Sequence, residues 1–308
     1  MIKRLLVVGS ANIDFRIETP YAPQAGETLI SDGKYVLTPG GKGANSAMAA
    51  AKLGDTEVAL CARLGDDTYG DQLKRYFNAN GINTKYIVTD KVEQTGSAFV
   101  TVEADGTNRI VVFKGANKRL CASDVDESFK CCPDGVLVQF EGGPDAVAAA
   151  AFRACKNGLP LFVDAGAATK DWNLATIPKC EIFSPNETET EILTGIRPVS
   201  PSDCLKACIS LCNSIDIKYV VLKLGSRGCF VYDGKYCDLV SSYDVDEVDS
   251  TAAGDAFTAA IAIEYMRTGD ITRAAKYANA VGALTVTRKG AIASLPTGDE
   301  VQAFIARR

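Results

Sequence analysis

The segment Asp249-Ser250-Thr251-Ala252-Ala253-Gly254-Asp255 has the composition of a site that handles a charged group. Small residues at Ala252, Ala253 and Gly254 precede a long Ala- and Ile-rich stretch of helical character. Amides at a helix start lack partners within the helix and, with the helix dipole, favour an anion. Asp255 falls in the first turn beside that anion, where a carboxylate can accept a proton from an attacking hydroxyl. The same residues fit equally well an acid that complements the helix dipole and alanines that only pack.

Four further segments carry polar chemistry. Pro39-Gly40-Gly41-Lys42-Gly43-Ala44-Asn45 sets three glycines around a lysine ahead of a helical stretch, which permits close backbone approach to a ligand. It is not a P-loop, because Gly43 follows Lys42 where that motif needs Ser or Thr. Lys42 and Asn45 favour polar recognition over a plain tight loop. In Gly9-Ser10-Ala11-Asn12-Ile13-Asp14, extended backbone would point Asn12 and Asp14 the same way. Such a pair can bind vicinal hydroxyls, as on a sugar, although both residues are also common in turns. Pro185-Asn186-Glu187-Thr188-Glu189 is either a helix cap or an amide–carboxylate pair for a magnesium–phosphate network. Leu224-Gly225-Ser226-Arg227-Gly228 is either a turn or a nucleotide-phosphate loop.

The chain contains no histidine, which removes Ser–His and Cys–His catalysis, a histidine base and a His-ligated metal. Its 11 cysteines form no CxxC pair and read as reduced cytosolic thiols. Cys204, Cys208 and Cys212 recur every four residues, and are expected to pack in the core beside Leu205 and Ile209 rather than hold a metal.

These segments need a scaffold. The 308 residues are 47% hydrophobic and 23% charged, as in ordinary globular proteins. Against 38 acidic residues stand 33 basic ones, a net charge of −5 without a basic block, which disfavours nucleic-acid and membrane-surface partners. Apolar runs are strand-sized, so no bilayer span is expected. The N-terminal run reads as a buried strand rather than a signal peptide, and a cytoplasmic location is expected. Strands are expected at 5–8, 58–61, 136–139, 161–164, 182–184 and 219–224. Helices are expected at 44–53, 69–80, 144–156, 188–193 and 201–215, with two more, 254–267 and 272–287, closing the chain. This alternation predicts an α/β fold with a mostly parallel central sheet sandwiched by helices, its ligands beyond the carboxyl ends of the strands. Residues 15–37 and 95–113 break the rhythm. The second alternates around Ala104-Asp105-Gly106, a hairpin signal. Both are expected to supply a small antiparallel β lid on a single domain spanning 1–308.

Taken in order, GSANID (9–14), AGET (25–28), GGKGAN (40–45), GDD (65–67), DGTNRI (105–110), GAN (115–117), QFE (139–141), PNETE (185–189), LGSRG (224–228), DSTAAGD (249–255) and VTRKGA (286–291) resemble the ribokinase branch of the PfkB family of carbohydrate kinases nearly end to end. The resemblance implies a nine-stranded α/β core with a β lid that often forms a homodimer contact, and phosphorylation of the 5-hydroxyl of ribose by ATP. It implies Asp255 as general base and the amides of Ala252, Ala253 and Gly254 as an anion hole. Asn12, Asp14, Gly41, Lys42, Gly43, Asn45 and Glu141 would contact the sugar. ATP would be held by Asn186, by Lys223, Leu224, Gly225, Ser226, Arg227 and Gly228, by Gly254 and by Asn279. Glu189 would help organise Mg²⁺. A monovalent cation, usually K⁺, would take oxygens of Asp249, Thr251, Thr285, Arg288, Gly290 and Ser294.

Two departures stand out. Asp164-Ala165-Gly166-Ala167 occupies the place of the relatives' Asn-Pro-Ala-Pro, which alters the end of a central strand, and Ser250 replaces a usual Thr. Neither is expected to touch a residue assigned to chemistry. Lys42 and Glu141 match the ribokinase pattern better than those of fructokinases or adenosine kinases. A kinase for another sugar or a nucleoside is the alternative. A non-catalytic sugar- or nucleotide-binding regulator ranks lower, because Asp255 and Gly254 are both present.

Overall fold

The computed structural model describes residues 2–105 and 107–308; Gly106 of the expected Asp-Gly turn lies outside the described residues. Its first strand, Lys3–Val8, shows why the sheet is covered on both faces. Leu5 and Val7 pack into one hydrophobic cluster, and Leu6 and Val8 into a second. Successive strand residues face opposite ways, so a continuous apolar run requires a helical layer on each side. Helices Lys42–Leu53, Ala253–Thr268 and Ile271–Val286 supply the first layer. Pro144–Lys156 and Pro201–Cys212 supply the second.

The large sheet runs Cys237–Val240, Cys229–Tyr232, Asp216–Lys223, Lys179–Ser184, Leu161–Asp164, Gly135–Gln139, Lys3–Val8, Thr56–Gly65, Ile82–Asn83, with Ile87–Asp90 also paired to Thr56–Gly65. All pairings are parallel except the last two at the Cys237 edge. Helix starts follow local rules. Pro144 and Pro201 occupy first-turn positions where no N–H is needed, and Ser200 with Asp203 forms a reciprocal cap. Strand Leu161–Asp164 and helix Pro144–Lys156 have their expected bounds.

Other expectations change. The two short strands Cys229–Tyr232 and Cys237–Val240 extend the sheet past the last expected strand, and helix Gly298–Ala306 follows the two helices expected to close the chain. Thr297 and Glu300 cap that helix reciprocally. Cys204 and Cys208 are buried as expected, but Ile209 is exposed; Ala207 and Leu211 share their core face instead.

The lid is a separate four-stranded sheet in the order Tyr35–Gly40, Asn12–Glu18, Gly96–Val102, Asn108–Phe113. Two antiparallel pairs are joined through a parallel pairing of Asn12–Glu18 with Gly96–Val102. Its strands reach beyond the expected 15–37 window, to Asn12 and Gly40, so the lid begins four residues after the first core strand ends at Val8. Among the described residues no helix is long and apolar enough to cross a membrane.

Candidate active site

The core strands end at Val8, Gln139, Asp164, Ser184 and Lys223, and each end leads into a segment singled out above. Parallel packing therefore gathers residues remote in sequence at one rim.

At its centre is the start of helix Ala253–Thr268. Ala252 sits in the left-handed region at φ 63°, uncommon for a residue with a side chain, and no side chain caps the helix. Ala253 N–H donates to the Ser250 carbonyl at 3.2 Å. Asp255, two residues further, is buried. Asn45 Nδ2 donates to its Oδ2 at 2.8 Å, and Lys42 Nζ lies 3.8 Å from its Oδ1. Burial lifts the Asp255 carboxyl to about 6; Lys42 opposes the rise, Asp164 adds to it, and Asn45 and Lys223 oppose it. Lys42 is pushed above the usual lysine range, chiefly by Asp255.

Lys42 and Asn45 reach Asp255 because helix Lys42–Leu53 starts hard against the first strand. A β-carbon on Gly9 would stand 2.9 Å from Gly43 Cα, and Gly41 has φ 88°, so glycine is needed on both sides of the approach.

On one side of Asp255 lie the expected sugar ligands. Glu141 accepts from Lys42 N–H at 2.9 Å and from the Ser10 hydroxyl. Asn12 is on extended backbone with Asp14, as expected, and accepts from Asn117 Nδ2 at 2.7 Å. Asn117 also pairs with both backbone groups of Ala11. The Asp14 carboxyl packs on Gly40, in space that any β-carbon there would fill. Its Oδ1 is buried with no partner. Burial, then repulsion from Glu141, lifts its carboxyl to about 7. A buried acceptor without a donor is suited to a ligand hydroxyl. A cavity of about 620 Å³ opens beside Asn12, Asn117 and Glu141, walled by Phe140 and Trp172, whose rings stack at 4.0 Å.

On the other side, a cleft of about 410 Å³ is lined by Lys223, Gly225, Ser226, Gly228, Gly254 and Asn279. Three expected nucleotide residues, Asn186, Leu224 and Arg227, do not line it. Leu224 is buried, and Arg227 turns away to Glu187 at 2.6 Å and to the carbonyls of Pro198 and Val199. Asn279 lines the cleft while its amide donates to the carbonyls of Val240 at 2.9 Å and Ser241 at 3.1 Å. Asn186 and Glu189 form a reciprocal helix cap, with Asn186 N–H and Nδ2 donating to the two carboxylate oxygens at 2.8 and 2.9 Å. Burial raises the Glu189 carboxyl against the pull of Lys223.

The expected cation loop is also assembled. Asp249 accepts from Thr251 N–H and hydroxyl and, across the chain, from Gly290 N–H at 2.9 Å. Its own N–H donates to the Val286 carbonyl. This brings 249–251 against 285–291. Thr285 and Ser294 are buried, each with its hydroxyl donating to a backbone carbonyl, of Val281 and Ala291 respectively. The Arg288 side chain pairs with Glu300, leaving only its backbone for such a role.

One expectation is overturned. Asp164 does touch a residue assigned to chemistry: both its carboxylate oxygens lie 3.0 Å from Lys223 Nζ, and Thr258 donates to Oδ2 at 2.6 Å. Gly166, two residues on, leaves room for Lys42, since a β-carbon there would come within 2.6 Å of the lysine Cδ. Ser10, Asn117, Thr258 and Trp172 also went unassigned in the sequence. The GAN motif was the available signal for Asn117 and GSANID for Ser10; Thr258 and Trp172 carry none.

A buried carboxylate at an uncapped helix start, between a hydroxyl-binding side and a Gly-rich cleft and under a β lid, is the layout of a two-substrate enzyme that transfers a phosphoryl group to an alcohol. The chain belongs to the PfkB family: the profile of the pfkB family carbohydrate kinases matches residues 2–298. It is similar to a ribokinase of Haemophilus influenzae, with 36% identity over 309 residues covering 99% of both chains. It is similar to a deoxyribokinase of Salmonella typhi, with 32% identity covering 98% of both. Among solved structures, the ribokinase of Arabidopsis thaliana complexed with ribose and ATP superposes with a TM-score of 0.89 at 31% identity, covering 99% of each chain.

Proposed function

We propose that this carbohydrate kinase transfers the γ-phosphoryl group of ATP to the 5-hydroxyl of D-ribose, giving ribose 5-phosphate and ADP. The observation that carries the reading is the Asp255 carboxyl, buried between Asn45 and Lys42 at the start of helix Ala253–Thr268. With the sugar on the Asp14–Glu141 side and ATP in the Gly225–Gly254 cleft, Asp255 accepts the hydroxyl proton as the oxygen attacks. The amides of Ala252 and Gly254, joined by that of Ala253 when it turns from the Ser250 carbonyl, meet the charge of the migrating group. Asn12, Asp14 and Glu141 orient the sugar, with Asn117 and Ser10 fixing two of them. Lid closure excludes water, the competing acceptor.

Mg²⁺ on the triphosphate would spread its negative charge. Glu189 and Asn186 fit as its holders, because the buried Glu189 carboxyl is raised and a nearby cation would offset that cost. Asp249, with oxygens from the joined segment at Thr285, Arg288 and Gly290, fits a K⁺ that would fix the loop without touching substrate. The lid face opposite Asp14 and Val112 carries exposed Tyr35, Val111 and Phe113 and is the proposed homodimer contact. Free cysteines throughout the described chain accord with a reducing, cytoplasmic setting.

A second reading, 2-deoxyribose, is favoured by the similar deoxyribokinase. The test is phosphorylation of ribose, 2-deoxyribose, fructose and adenosine by ATP and Mg²⁺, with and without K⁺. Ribose should give the highest kcat/KM and K⁺ should raise it. A higher value for any other acceptor overturns the ribose assignment.

A further inference from the structure

Lys223 belongs to the segment expected to hold ATP, but the proposed chemistry gives its buried ammonium no particular phosphate. It ends strand Asp216–Lys223, and Asp164 ends the strand two places along the sheet, with Lys179–Ser184 between them. The ammonium rests 3.0 Å from each Asp164 oxygen and 3.3 Å from the Thr258 hydroxyl. Only 10% of the lysine side chain and 2% of the aspartate side chain are exposed. An ion pair this deep gains little stability over apolar packing, because desolvating both charges offsets their attraction. A reason for keeping it should therefore be sought in function.

Its position supplies one. Lys223 lines the nucleotide cleft together with Gly225, Ser226 and Gly254. A β-carbon at Gly254 would stand 3.5 Å from Nζ, so the ammonium sits directly under the helix start where the migrating group is expected. Thr258 ties the two together: it donates to Asp164, and its hydroxyl also lies 3.0 Å from the Gly254 carbonyl. Lys42, the other lysine here, stands on the Asp255 side.

We propose that the Lys223 ammonium is a phosphate-binding cation of this active site, held by Asp164 and Thr258 until the triphosphate arrives beside Gly254 and then shared with its terminal phosphate. Asp164 and Thr258 are positioning residues that keep the ammonium aimed. The proposal rests on the kinase reading above and adds a ligand for the transferring group on the nucleotide side. A compact ammonium suits this place because it meets phosphate oxygens as a point charge without demanding a fixed planar geometry.

The alternative is that Lys223 only neutralises Asp164. Three variants separate the two: Lys223→Met, Asp164→Asn and the double variant. Steady-state kinetics are measured on whichever sugar the wild type phosphorylates, and calorimetry compares a non-hydrolysable ATP analogue with ADP. Lys223→Met should lower kcat by about 10²-fold, the usual loss of one charge-stabilising donor, with sugar KM little changed. It should also weaken the ATP analogue more than ADP. The double variant, with no buried charge left unpaired, should melt near wild type yet stay as slow as Lys223→Met. Recovery of wild-type kcat in the double variant, or equal weakening of both nucleotides, would overturn the proposal. A wild type inert towards every sugar would instead defeat the kinase reading, and the nucleotide comparison would still decide the role of Lys223.

Discussion

Asn45 Nδ2 donates to Asp255 Oδ2 at 2.8 Å, joining two residues 210 positions apart in the chain. The bond occupies one carboxylate oxygen and leaves the other facing Lys42, 3.8 Å away. It therefore fixes which oxygen of the proposed base is open to an incoming hydroxyl.

Replacing that base without changing its shape tests its role. Asp255→Asn should reduce turnover by about 10²–10⁴, the usual contribution of one acid–base group. Binding of ribose and of an ATP analogue, measured by calorimetry, should persist. Near wild-type turnover would remove Asp255 from the mechanism.

The rate should depend on pH through the same carboxyl. It is lifted to about 6, and a base must be unprotonated to act, so kcat/KM should fall as pH drops through about 6. Lys42 holds the carboxyl down against burial, so Lys42→Met should move this acid limb to higher pH. A limb that stays in place when Lys42 loses its charge would assign it to another group.

Asp14 should affect stability. Its carboxyl stands near 7 when folded, above the ordinary value of 3.8, so the folded protein holds the extra proton between these limits. Its contribution is therefore full below about pH 4 and is lost as pH rises through about 7. Asp14→Asn should flatten that slope and raise unfolding free energy at pH 8 by on the order of 1–3 kcal/mol, after allowance for partial solvent access. Ribose affinity should fall in the same variant. Denaturant unfolding at pH 4 and pH 8 reads the first effect, and an unchanged slope would contradict it.

Gly282 interrupts helix Ile271–Val286, where glycine costs about 1 kcal/mol relative to alanine. Nothing lies within 4 Å of a β-carbon built there, and the position opens onto the nucleotide cleft. Gly282→Ala should raise the melting temperature while raising KM for ATP and sparing KM for the sugar. A gain in stability with unchanged ATP KM would mean that the bare backbone serves no nucleotide.

The sequence was informative wherever one segment contained its own cause. The alternating sheet and helices, the lid interruptions, Asp255 in a first turn and Asn12 beside Asp14 all follow from short-range pattern. Strand Cys237–Val240 escaped because three of its four residues are exposed and it lacks the apolar run that marked Leu161–Asp164, whereas Cys229–Tyr232 is as apolar as that strand and was open to reading. Helix Gly298–Ala306 did announce itself through Thr297 and Glu300, a spacing that was open to reading. The Asp164–Lys223–Thr258 cluster was hidden for a different reason. Its members are 59 and 94 residues apart, and only the sheet order makes the strand ends neighbours. Arg227 shows the reverse: a motif located its backbone correctly, but Glu187 and two carbonyls decide where its side chain goes.

The flap is made from two separate excursions of the chain, Asn12–Gly40 and Gly96–Phe113, stitched by the parallel register of Asn12 on Gly96 through Glu18 on Val102. Recombining this enzyme with a relative to change its acceptor therefore calls for a crossover beyond Asn117, so that both excursions travel together. A chimera that imports the first excursion alone would carry foreign Asn12 and Asp14 on a native seam, with Asn117 gripping the junction from a third segment. If Asn12 and Asp14 hold the acceptor as proposed, its preference would pass between relatives as a three-part unit.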